Sequence, residues 1–251
     1  MSQEIVVDLS KVPWKTYRGT YELQIGLDGS QGPELVRARF PGREVEPHYH
    51  RAAQFQLLLD GNLQFPDFRM EGIAVHYTDH NVPYGPFTTS GQHDMVVVHT
   101  KPAGVQYMKD AVRDAALRKE INRKGREIHC SAGDVEWQPV PGHEGVRRKT
   151  LISQNDGPAA EVVECAPGVE LPESAAPFGR YEFVVKGSSY LNGSKLGPET
   201  VRFVQSTERT ATLCAGPDGA TFIVLTFDRD AVESYGGSVL GDLNRMASQP
   251  A

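Results

Sequence analysis

The chain has 251 residues, 39% of them apolar and 23% charged, enough core material for two domains of ordinary size without disulfide or metal staples. With 32 acidic against 26 basic side chains the net charge is −6, which argues against nucleic-acid binding through phosphate contacts. Cys130, Cys165 and Cys214 are too scattered for a disulfide framework or a metal-like spacing. Residues 1–14 carry no signal-peptide pattern, and no apolar run is long enough to span a membrane, so a cytoplasmic protein with reduced thiols is expected.

Taken from the N terminus, residues 34–40, 55–59 and 95–98 are rich in β-branched and large apolar side chains, with Gly, Pro, Asp and Asn between them. That pattern predicts short strands in a sandwich or barrel. Within this stretch Gly42 is followed after five residues by His48-Tyr49-His50, after three more by Gln54, and after six more by Gly61. Side chains two apart on a strand share a face, so His48 and His50 present two imidazoles to one side, within reach of one ion. If the strand continues in phase past a turn at residues 51–53, Gln54 and Gln56 join that face while Phe55, Leu57 and Leu59 take the other. A polar interior of this kind needs a metal, a ligand or water to satisfy it.

The spacing resembles the first motif of the cupin family, in which a glutamate usually stands where this chain has Gln54. The resemblance extends over residues 15–100 and 137–228 and implies a jelly-roll barrel in each half, with the ligand site inside. It implies a divalent transition metal, iron, manganese, nickel or zinc, held by His48, His50 and Gln54. The alternative is a cupin that keeps its histidines and binds an organic ligand without metal. With Gln54 in place of the carboxylate, the first motif supplies no negative ligand, so an ion would be held more weakly and be more Lewis-acidic.

The family's second motif supplies another histidine after a Pro-rich turn. Here the position after Pro83 reads Tyr84. Tyr84 is then either a phenolate ligand or a neutral aromatic that hydrogen-bonds substrate, and with Gln56 it is a candidate catalytic residue. His76 and His80 are nearby substitutes, but four apart on one straight strand they cannot share an ion. His76, inside an apolar run, is the candidate ligand of the two, against its reading as a satisfied core histidine. His93 is placed in a turn, and His99, His129 and His143 on the surface.

Residues 106–126 predict one helix, with Met108, Val112, Ala115 or Ala116 and Ile121 forming a stripe that packs on a barrel and Gly125 after its end. Beyond it, residues 161–165, 183–185 and 222–227 again predict strands. An offset of 126 lays residues 55–61 on residues 181–187 with apolar class kept, and an offset of 127 lays 95–98 on 222–225. The chain therefore reads as two copies of one β-domain. Ser174, Ala176 and Arg180 fall on His48, His50 and Gln54, so the second copy lacks the ligands, and Arg180 is expected to pair with Glu182.

The expectation is an all-β fold of two tandem cupin jelly-roll barrels related by duplication, with a short helical connector. Its domains are residues 1–105, a connector at 106–128, and residues 129–251. The expected function is a metal-dependent small-molecule enzyme of oxygenase, isomerase or lyase type, sited in the first barrel. The alternatives are a non-enzymatic sensor or binding protein with the same pocket, and a metal-free, sugar-epimerase-like cupin using a histidine as general base. The partners expected are a small molecule, no nucleic acid and no membrane, with monomer and homodimer both open.

Overall fold

The computed structural model describes residues 3–17, 21–30, 32–40, 42, 44–89, 93–153, 157–229 and 231. In chain order its strands are β1 (Gln3–Asp8), β2 (Lys15–Tyr17), β3 (Tyr21–Asp28), β4 (Glu34–Phe40), β5 (Glu44–Val45), β6 (His48–His50), β7 (Gln54–Leu58), β8 (Asn62–Gln64), β9 (Arg69–Glu71), β10 (Ala74–Thr78), β11 (Phe87–Thr89), β12 (His93–His99) and β13 (Val105–Tyr107). Two short helices follow, α1 (Met108–Arg113) and α2 (Ala115–Glu120). The later strands are β14 (Glu127–Ser131), β15 (Gln138–Pro139), β16 (Val146–Ser153), β17 (Ala159–Cys165), β18 (Ala176–Leu191), β19 (Ser194–Leu196), β20 (Thr200–Ser206) and β21 (Cys214–Thr226).

Contacts divide the chain into two compact units, one of residues 14–131 and one that joins residues 1–13 to 132–228. The first unit has a seven-stranded sheet in the order β14-β10-β7-β12-β4-β3-β2, a four-stranded sheet β5-β11-β8-β9, and the pair β13-β6. The second has a sheet with the order β1-β20-β18-β21-β17-β16-β15. Both orders are the same once each strand is matched to its copy. The pairing repeats residue by residue: Met95 faces Ala38 and Leu58, as Phe222 faces Val163 and Val184. Even the register shift between Ile25 and Leu27 recurs between Thr150 and Ile152. Gly61 and Gly187, matched at the offset of 126, both hold positive φ, 87° and 76°. The fold is all-β, built by duplication.

Two expectations on organisation need correction. The division does not fall at 105 and 129. β1 pairs antiparallel with β20 of the second sheet, and β14 pairs with β10 of the first, so the leading strand of each half completes the sheet built from the other half. The second correction concerns the helix. Asp114, extended at φ −109° and ψ 115°, ends α1 and caps α2 by accepting from Ala116 N at 2.7 Å. Such a short polar side chain competes for backbone donors and favours a cap over a helix interior. Of the predicted stripe Val112 is 67% exposed, while Ala111 is the buried residue of α1.

The interior of the first unit is apolar toward one end, where Leu58, Leu63, Phe65, Met70, Ala74, Tyr84, Phe87 and Met95 pack together. Removing such apolar area from water contributes about 25 cal/mol per Å2 and drives the sheets together. Buried polar side chains adjoin this cluster, with Tyr84 and Phe87 bordering both groups. No helix among the described residues is long and apolar enough to cross a membrane.

Candidate functional site

Three strands and one turn build this polar group. β6 is fully buried and brings in His48 and His50. β7 brings Gln54 and Gln56 to the same side, while Phe55 turns to the opposite face, where its ring lies 4.8 Å from that of Tyr77. β10 runs antiparallel to β7 with Gln56 opposite His76 and Gln54 opposite Thr78. The turn after β10 returns the chain so that His48 and Tyr84 exchange two backbone hydrogen bonds, His48 N to Tyr84 O at 3.2 Å and Tyr84 N to His48 O at 3.0 Å. That pairing sets the Tyr84 ring 4.4 Å from His48, 6.3 Å from His50 and 5.1 Å from His76, centroid to centroid. All six side chains singled out from the sequence, His48, His50, Gln54, Gln56, His76 and Tyr84, are buried in one cluster.

The hydrogen bonds give each of them a direction. His48 Nδ1 lies 2.7 Å from the Glu46 carbonyl, which only accepts, so Nδ1 carries the proton and the Nε2 lone pair is left for an electrophile. Burial pushes the His48 pKa down to about 4, against the raising effect of that carbonyl. His50 is held well below the ordinary value by burial and by the neighbouring imidazoles of His48 and His99. Both rings are therefore neutral at pH 7, as a metal-ligating imidazole must be. Gln54 donates from Nε2 to Thr78 Oγ1 at 3.1 Å, and its buried Oε1 has no donor. His50 Nδ1 is likewise buried without a partner.

Gln56 Nε2 donates to the Tyr84 hydroxyl at 2.6 Å. Burial raises the Tyr84 pKa far above the ordinary tyrosine range and outweighs the opposing pull of the Gln54 and Gln56 amides. The phenol is neutral in this setting, which favours a hydrogen-bonding role over a phenolate ligand. His76 has both ring nitrogens engaged, Nδ1 at 2.9 Å from Gln56 Oε1 and Nε2 at 3.0 Å from Glu127 Oε1. In this arrangement both ring nitrogens are taken up by protein partners. His80 lies beyond the end of β10, half-buried.

The expectation that His99 lies on the surface is overturned. His99 is 1% exposed, its ring is 5.4 Å from that of His50, and its Nδ1 is 3.3 Å from Glu34 Oε2. Its signal was available: His99 follows Met95 and Val97 in strict alternation on β12, which puts it on the inner face. Glu34 sits directly opposite on β4 and is also fully buried, accepting from Ala103 N at 3.1 Å. His129 and His143 are exposed, His129 stacked on Phe68, while the His93 side chain lies outside the described residues.

The second unit fills the matching positions with a buried ionic network. Arg180 Nη2 lies 2.8 Å from Glu182 Oε1, the pairing expected, and 3.2 Å from Glu173 Oε1. Arg202 donates to Glu4, Glu173 and Glu182, to the Thr210 hydroxyl and to the Ala211 carbonyl, so all its N–H directions are used. Three carboxylates, Glu4, Glu173 and Glu182, share two guanidinium groups there, with no imidazole among them. Among the described residues no three His, Cys, Asp or Glu side chains converge at metal-ligating distances.

No protein-family model matches the chain, and no curated protein does. Solved structures do. A candidate dioxygenase of Nostoc punctiforme superposes with a TM-score of 0.68 at 14% identity, over 94% of this chain and 88% of that one. The oxalate decarboxylase of Lactobacillus farciminis, in complex with formate, gives 0.64 at 12% identity, over 98% and 90%. The coconut allergen cocosin gives 0.63 at 11% identity, over 90% and 86%. At such identities the likeness establishes the fold: two tandem cupin jelly-roll barrels.

Proposed function

We propose that the first barrel is the site of a metal-dependent enzyme acting on a small organic molecule by oxygenase, isomerase or lyase chemistry. One observation carries this reading: two neutral buried imidazoles stand side by side, 5.4 Å between ring centres, beside a buried amide oxygen that has no donor in the protein. An orphaned buried acceptor costs about 1–3 kcal/mol, and a cation relieves that cost where a hydrophobic core cannot. In this proposal His48, through Nε2, and His50 hold the ion and Gln54 Oε1 is a weak third ligand. Iron, manganese, nickel and zinc all suit such imidazole and amide donors. When bound, the ion supplies a Lewis acid that polarises a carbonyl or activates dioxygen.

The chain's own residues supply the remainder. The Glu46 carbonyl fixes the His48 tautomer, a supporting contact of the kind that orients metal-ligating histidines. Tyr84, neutral and fixed by Gln56, contributes a hydroxyl to orient substrate. Phe65, Phe87 and Leu58 exclude water from the inner end. The Nostoc and Lactobacillus folds belong to a candidate dioxygenase and a decarboxylase, which supports an enzyme of this broad class.

The second reading is a binding or sensor protein without metal, favoured by the neutral ligand set and by the Tyr84 hydroxyl lying among the amides. Assay of metal-loaded protein against panels of small carbonyl compounds and hydroxy acids tests the choice. Turnover that is lost in His48→Ala and His50→Ala supports the enzyme; saturable binding with no turnover in the presence of stoichiometric metal supports the sensor.

A further inference from the structure

The strand that carries both histidines lies outside the larger sheets of the first unit. Among the described residues the partner of β6 is β13, with Val105 opposite His50, Gln106 opposite Tyr49 and Tyr107 opposite His48, and Tyr84 adds a single bridge to His48. Three residues held in this way are a light frame for side chains that must be placed to within about 0.5 Å. The chain beyond β12 supplies further support. Met108 N donates to Pro47 O at 2.9 Å just before His48, and Arg51 N donates to Gly104 O at 3.0 Å just after His50. Asn122 N donates to Asn81 O at 2.9 Å, and Asn81 N in turn to His50 O at 2.7 Å.

One side chain of α2 adds to these backbone bonds. Tyr49 alternates with the two histidines, so its ring points away from theirs, and it is wholly buried. Asp114 starts α2 by capping Ala116 N, and Leu117 and Glu120, three apart, share one face of the helix. The Tyr49 hydroxyl shares its proton between Leu117 O at 3.2 Å and Glu120 Oε2 at 3.3 Å. Arg51 forks onto the same carboxylate, Nε to Oε2 at 2.9 Å and Nη2 to Oε1 at 3.1 Å. Such a two-bond contact fixes geometry as well as adding energy. Glu120 and Arg51 are both partly exposed, and an ion pair of that kind contributes little to global stability. Its consequence is local: one carboxylate grips the residues on either side of His50 from behind the strand.

We propose that Glu120 is a positioning residue for the paired imidazoles, which by gripping Tyr49 and Arg51 fixes the backbone of His50 and so the aim of both rings at one ion. Without the carboxylate β6 keeps β13 but loses its side-chain anchor on α2, and His50 no longer holds its place beside His48. The inference rests on the preceding reading in taking His48 and His50 as the metal ligands.

Amide hydrogen exchange on the metal-free full-length protein and zinc affinity by competition with a chelating dye test this together. Glu120→Ala is expected to speed exchange of the Arg51 amide by about tenfold or more while leaving the β12 amides unchanged. It is expected to weaken zinc binding by about 10–100-fold, as loss of a supporting contact to a metal-binding histidine does. Glu120→Gln, which keeps one acceptor oxygen, is expected to fall between, and it carries the test alone if Glu120→Ala does not fold. Gly168→Ala, in the other unit, is expected to lower the thermal midpoint and move neither readout. An unchanged Arg51 exchange rate in the Glu120 variants overturns the proposal, and so does zinc binding as tight as in the wild type. A wild type that takes up no zinc, with the exchange pattern as expected, sinks the metal reading and leaves the grip of Glu120 on β6 standing.

Discussion

Gln56 donates to the Tyr84 hydroxyl at 2.6 Å, and both groups are buried. The bond ties β7 to the turn that follows β10, so it fixes an aromatic ring that touches His48, His50 and His76 together. Tyr84→Phe keeps the ring and leaves the amide without its acceptor. The expected cost is about 1–3 kcal/mol of unfolding free energy. Denaturant unfolding checks this, and a change within experimental error would show that the amide finds another partner.

Acidification should weaken the metal-stripped protein through His48. Its folded pKa, about 4, lies below the ordinary 6.5, so the unfolded chain binds the proton more readily and stability rises with pH between those values. Stability is therefore lost as pH falls from about 6.5 to about 4, by up to about 3 kcal/mol from this group. His48→Asn should flatten that part of the profile while leaving the slope above pH 7 unchanged. Urea unfolding of both proteins at pH 5 and pH 7 measures the difference.

The second barrel replaces imidazoles with a buried ion network, and its energetics follow from how few cations its carboxylates share. Burial pushes the Glu182 pKa up while Arg180 and Arg202 pull it down, so the carboxylate depends on its cations. Arg202→Leu leaves Glu173 and Glu182 sharing the single cation of Arg180, so that one buried carboxylate is unpaired, and a cost of about 3–5 kcal/mol is expected. Adding Glu182→Leu should recover part of that loss, because the unpaired charge goes with it. An additive double variant would contradict the network.

Two glycines with nearly the same φ should respond differently to alanine. Gly168, at 74°, has open space where a Cβ would go, so only the left-handed backbone penalty of about 1–2 kcal/mol applies. Gly187, at 76°, would drive its Cβ into the Gly219 carbonyl. Gly187→Ala should therefore be the more destabilising of the two by thermal unfolding.

The duplication, the strands and the inward row of the site were legible because each is written in local periodicity. The alternation of Gln54 and Gln56 with Phe55 and Leu57 decides a face by itself. The leading strands were not legible in this way. Nothing local in residues 3–8 distinguishes pairing with β20 from pairing inside their own half, because sheet partners are set by long-range contacts. The apolar stripe of residues 106–126 suggested one helix, yet Asp114 offered its carboxylate as a cap and the chain broke there. His99 was read from its lack of partner spacing in sequence. Its partners, Glu34 and His50, come from other strands. Glu127 was overlooked for the same reason: a carboxylate on an edge strand acquires meaning only when β14 is laid beside His76.

The claim on which the functional account stands is that His48 and His50 hold one metal ion in the first barrel. Metal content per chain, measured on protein purified without an affinity tag and after loading with iron, manganese, nickel or zinc, tests it most directly. About one equivalent in the wild type and in Arg202→Leu, lost in both His48→Ala and His50→Ala, is the predicted result. An equivalent that persists in either histidine variant, or a wild type that takes up none of the four ions, would contradict it.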